Sequence, residues 1–85
     1  MTDLDEILTG SRGVWAVDHG SQGVDIAVWH GGHTVNSYLV QPSMDGLTVA
    51  PTGTASVGDF ETGETSRKQA KEAAESLLEY PEGSL

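Results

Sequence analysis

The sequence predicts an α+β fold: an antiparallel β-meander of three to five strands packed by one C-terminal α-helix. Two observations lead there. Three stretches, VWAVDH (14–19), VDIAVWH (24–30) and HTVNSYLV (33–40), alternate in the period of a strand and are rich in β-branched and aromatic residues. Glycine-bearing turns separate them, and the period becomes helical only after Ser66.

Taken in order, Asp3 to Leu8 reads as one short helical turn with Leu4, Ile7 and Leu8 inward, too short to stand alone. GSQG (20–23) reads as a four-residue hairpin loop, which sets Val17 opposite Ile26 and Trp15 opposite Val28. Gly31-Gly32 accepts the positive φ angles of a tight turn. It sets His30 opposite His33, Val28 opposite Val35, Ile26 opposite Ser37 and Val24 opposite Leu39. The expected core face is then Trp15, Val17, Val24, Ile26, Val28, Val35 and Leu39. The other face carries Val14, Ala16, Asp18, Asp25, Ala27, Trp29, Asn36 and Tyr38.

QPSMDG (41–46) reads as a turn, LTVA (47–50) as a fourth strand and PTGT as a loop. ASVGDF (55–60) reads as a short edge strand weakened by its glycine. The helix begins at a capping box, Ser66 with Gln69 three residues on. Ala70, Ala73, Ala74, Leu77 and Leu78 follow as one buried stripe, and Pro81 and Gly83 stop it. The chain is expected to be one domain: an N-terminal segment 1–12, a sheet over 13–60, a helix over 66–80 and a tail over 81–85.

A chain of 85 residues buries about 60–65% of its unfolded surface, which argues against a large enclosed substrate pocket. Without cysteine there is no disulfide, thiolate metal site or cysteine nucleophile. The N-terminus is acidic and lacks a secretory pattern, and no apolar run approaches the roughly 18 residues of a membrane span. These features predict a soluble cytoplasmic protein. Thirteen acidic residues against four basic ones give a formal charge of −9. Such a surface repels nucleic acid and anionic lipid at long range and attracts basic protein surfaces. The same composition also suits solubility or growth in high salt.

Three of the four basic residues, Arg67, Lys68 and Lys71, sit in the first turns of the helix. There they oppose the helix dipole, at a cost of a few tenths of a kcal/mol each. Pairs of Lys68 with Glu64 or Glu72, and of Lys71 with Glu75, would offset this by about 0.2–0.5 kcal/mol each. Alternatively the cations and the backbone N–H groups converge on a phosphate or carboxylate. SRKQAKEAA resembles the Ser-Lys-Lys-x-Ala-Lys-x-x-Ala start of the last helix in double-stranded RNA-binding domains. In that family the helix follows three strands and its lysines contact phosphates across a groove. The resemblance spans about fifteen residues and implies that Arg67, Lys68 and Lys71 are phosphate contacts. More loosely, the chain is similar to small phage and bacterial sheet-plus-helix proteins.

His30 and His33 are expected as cross-strand neighbours with Cβ atoms about 5 Å apart. No third ligand accompanies them, so no metal or other cofactor is assigned. Asp18 and Asp25 are expected to face each other. The sequence carries no nucleophile elbow, P-loop or HExxH motif, and no catalytic residue or enzymatic activity is assigned.

The sequence therefore points to a small acidic, non-enzymatic protein-binding module. It would engage a basic, nucleic-acid-handling partner through Trp29, Tyr38, Asp18 and Asp25, in the manner of a phage accessory inhibitor or nucleic-acid mimic. The alternative is a nucleic-acid-binding domain using Arg67, Lys68 and Lys71. A third reading, a subunit of an oligomer, would show itself as an exposed apolar sheet face or a free edge strand.

Overall fold

The computed structural model describes residues 4–44, 46–60 and 65–79. A short helix α1 (Leu4–Leu8) leads into four strands, β1 (Gly13–Asp18), β2 (Val24–Trp29), β3 (Thr34–Ser43) and β4 (Gly46–Ser56). Helix α2 (Arg67–Glu75) follows and tightens into a 3₁₀ turn at Ser76–Glu79. The strands form one antiparallel sheet in the order β1-β2-β3-β4. The α+β meander closed by a C-terminal helix is thus the fold of the chain.

Both hairpins differ by one residue from the expected register. In the first, Val14 faces Val28 and Val17 faces Asp25. The loop is a 3₁₀ turn, Gly20–Gln22, flanked by His19 and Gly23. Asp18 Oδ1 accepts a hydrogen bond from Gly20 N at 2.7 Å, and His19 N donates to Gly23 O at 2.9 Å. Gly23 has φ 127°, and a Cβ there would lie 2.7 Å from Val40 O, so no other residue fits. In the second hairpin Val28 faces Asn36 and Trp29 faces Val35. Gly31 and Gly32 take positive φ as expected, but His30 leaves the ladder and its Nε2 lies 3.1 Å from Ile7 O.

A one-residue slip moves a strand's whole side-chain set to the other face. Trp15, Val17, Val35 and Leu39 therefore leave the expected core face, and Val14, Ala16, Tyr38 and Val40 join Val24, Ile26 and Val28. These residues, with Leu47 and Val49 of β4, pack against Leu4, Ile7 and Leu8 of α1 and Ala70, Ala73, Ala74 and Leu77. The physical reason is fit. A floor of Val, Ile and Ala is level enough for an alanine stripe to lie on. An indole at Trp15 in that layer would hold the helix off.

β4 is longer than expected. PTGT continues the strand through a β-bulge, because Ser37 pairs with Gly53 while Tyr38 pairs with Pro51. Thr52 is the extra residue. The proposed edge strand at 55–60 is instead the end of β4 followed by a 3₁₀ turn, Val57–Asp59. The turn expected at 41–46 is shorter, since Gln41 to Ser43 remain in β3. Leu78, expected in the buried stripe, is 55% exposed. It lies in the 3₁₀ turn, where about 120° per residue swings it off the face held by Leu77. Pro81 and Gly83 lie outside the described residues.

Candidate functional site

The expected partner-binding set is split by the register. Trp29 lies on the face that carries Trp15, where its Nε1 donates to Gly32 O at 3.1 Å. Tyr38 lies on the opposite face, half-buried against the core. Asp18 and Asp25 do not face each other: Asp18 pairs with Val24 and Asp25 with Val17, on opposite faces. Each has its own partner. Asp18 accepts from Gly20 N, and Asp25 Oδ2 lies 2.7 Å from His19 Nε2 in an exposed pair. His30 and His33 are not cross-strand neighbours either. His30 is drawn to Ile7 O, while the main chain of His33 accepts from Val57 N at 2.9 Å. Among the described residues no three His, Asp or Glu side chains gather to hold a metal.

The basic residues do come together. Arg67, Lys68 and Lys71 line a shallow groove of about 460 Å³ with Asp5, Leu8 and Thr9. The apolar side of α1 pins it to the sheet, which turns Asp5 towards α2. Lys71 Nζ lies 3.0 Å from Asp5 Oδ1, in place of the expected pair with Glu75. Lys68 and Arg67 make no ion pair among the described residues. The capping box is complete: Ser66 Oγ accepts from Gln69 N and Gln69 Oε1 accepts from Ser66 N, both at 3.0 Å. Two donors that would greet an anion are therefore already engaged.

The second sheet face holds a feature the sequence reading missed. Trp15 packs on Phe60, with ring centroids 4.9 Å apart and planes tilted by 46°. Beneath the indole lies Gly13, where a Cβ would sit 2.9 Å from Trp15 Cη2. Ala27 and Val35 are buried on the same face, and among the described residues the rings of Trp15 and Phe60 leave its other end uncovered. Beside it Val17, Asp25, Ser37 and Thr52 border an open groove of about 280 Å³ whose wall is Trp15 and Phe60. Val17 is 56% exposed. Trp15 Nε1 is buried without a hydrogen-bond partner among the described residues. One signal was present in the sequence: a glycine two residues before a tryptophan puts bare backbone and indole on the same strand face.

No helix among the described residues is long and apolar enough to cross a membrane. Comparison of the chain with protein-family models, curated proteins and solved structures finds no match.

Proposed function

We propose that this chain is a small non-enzymatic module that binds a basic segment of a protein partner on the open end of its second sheet face. The observation that carries this reading is the groove of Val17, Asp25, Ser37 and Thr52 beside Trp15 and Phe60. Helices close the first face, and no described segment closes this end of the second. An arginine or lysine fits it by chemistry. Its aliphatic stem lies on Val17 and the ring wall, and its charged head reaches Asp25. The net charge of −9 draws such a partner in from a distance. A nucleic-acid-handling protein, basic where it holds its substrate, is the partner class this charge suits, and the chain would then act as an accessory inhibitor or mimic.

The rival reading, phosphate binding by Arg67, Lys68 and Lys71, is favoured by one observation: the three cations line a single groove. Titration separates the two. Labelled arginine-rich peptide and labelled duplex RNA are each added to wild type, Asp25→Lys and the triple Arg67/Lys68/Lys71→Ala variant, at low and moderate salt. We expect salt-sensitive peptide binding that falls by about tenfold in Asp25→Lys and persists in the triple variant. RNA binding lost in the triple variant would instead assign the basic groove. Peptide binding unchanged in Asp25→Lys would sink the sheet-face reading.

A further inference from the structure

Among the described residues nothing pairs with the outer edge of β4, and the ladder fixes its main-chain directions. Val57 N donates to His33 O, so by alternation Val35, Ser37, Leu39 and Gln41 turn their main chain towards β4. The same alternation carried across β2 to β1 leaves Val14 O pointing out of the sheet. There it accepts from Thr65 N at 2.7 Å, which confirms the frame. Beyond the bulge Leu39 pairs with Ala50 and Gln41 with Thr48. The main-chain groups of Leu47, Val49 and Pro51 therefore point away from the sheet.

The two edges are treated differently. Thr65 meets β1 through an isolated bridge to Val14, whereas no described segment pairs with the outer side of β4. Pro51 offers no N–H, and the bulge at Thr52 twists the strand, so that half of the edge is guarded. The half before it, Leu47-Thr48-Val49, has no proline, bulge or charge. No residue from Gly46 to Ser56 is charged, in a chain with thirteen acidic residues.

We propose that this edge is a self-association seam, on which a second copy of the chain pairs antiparallel about Thr48. Leu47 faces the partner's Val49, Val49 faces the partner's Leu47, and each pair exchanges both main-chain hydrogen bonds. The two four-stranded sheets become one. Charge selects the occupant. A basic partner gains nothing from a neutral strand. A second acidic copy is repelled by every carboxylate patch and approaches best along the uncharged one.

In this register the two copies of Thr48 are directly opposite, and Thr48 is exposed, so it can be changed without disturbing the core. Sedimentation equilibrium from low micromolar to about 1 mM chain tests the seam, with circular dichroism verifying that each variant folds. Wild type is expected to associate reversibly, and more strongly as salt screens the charge. Thr48→Glu and Thr48→Lys should each weaken association by roughly fivefold, since like charges face each other. An equimolar mixture of the two should recover it. Thr48→Lys is the telling variant, because it makes the chain less negative and still weakens the seam. Wild type that stays monomeric throughout overturns the proposal. So does association that ignores both substitutions, that follows net charge alone, or that the mixture fails to restore. The seam shares no residue with the Asp25 groove, and its salt dependence has the opposite sign, so the two readings fail separately.

Discussion

Gly13 shows how one missing side chain organises a face. The indole of Trp15 lies over the bare backbone, within 2.9 Å of where a Cβ would be. Phe60 packs on the indole in turn. Gly13→Ala should therefore destabilise the chain by about 1–3 kcal/mol through overpacking, read as a lower midpoint in urea. Combined with Trp15→Leu, which vacates the contact, the same substitution should cost clearly less than in the wild-type background. Equal costs in both backgrounds would mean that the ring does not rest there. None of this was legible as a contact, because the neighbouring strand's register decides which side chains share a face. The residue pattern Gly-x-Trp was visible, but its consequence was not.

At the scale of the element, α2 was the most legible part of the chain. Its capping box, its alanine stripe and its start at Ser66 depend on spacing within a few residues, and all three are present. Its ion pairing was less legible, since Asp5 reaches Lys71 from a helix some sixty residues earlier in the chain. The two features should differ in worth. Ser66→Ala removes the side-chain oxygen that accepts from Gln69 N at the exposed helix start, and should lower stability by about 1 kcal/mol. Asp5→Ala removes an exposed ion pair and should lower it by about 0.2–1 kcal/mol. Thermal or urea unfolding of both variants beside wild type checks the order, and a larger loss from Asp5→Ala would reverse this account. β4 was the least legible element. PTGT has the composition of a loop, yet its partner strand β3 carries it through as strand, with one bulge at Thr52 to absorb the extra residue.

At the scale of the whole molecule the dominant quantity is the charge of −9. Exposed pairs such as His19–Asp25 and Lys71–Asp5 offset little of it. Self-repulsion therefore works against the compact state. Raising sodium chloride from low millimolar to about 0.5 M shortens the Debye length to a few ångströms and should raise the melting temperature. Calorimetry showing a melting temperature that falls with salt would indicate attractive pairing across the surface instead. The same screening should weaken a basic peptide at the Asp25 groove and strengthen self-association along β4.

The local pattern was enough for whatever depends on near neighbours: the class of α1, β1, β2 and α2, the capping box, and the absence of thiol chemistry. It also determined the meander, because short glycine-bearing turns leave adjacent antiparallel strands little alternative. Which face each strand buries was set by packing across the fold. Each hairpin differs by one residue from its expected register, and at a period of two that exchanges inside for outside. This is why Trp29 and Tyr38, and likewise Asp18 and Asp25, stand on opposite sides of the sheet. The choice was made by what the alanine-rich helix can lie against. That is a contact between residues about fifty positions apart, beyond the reach of any local pattern.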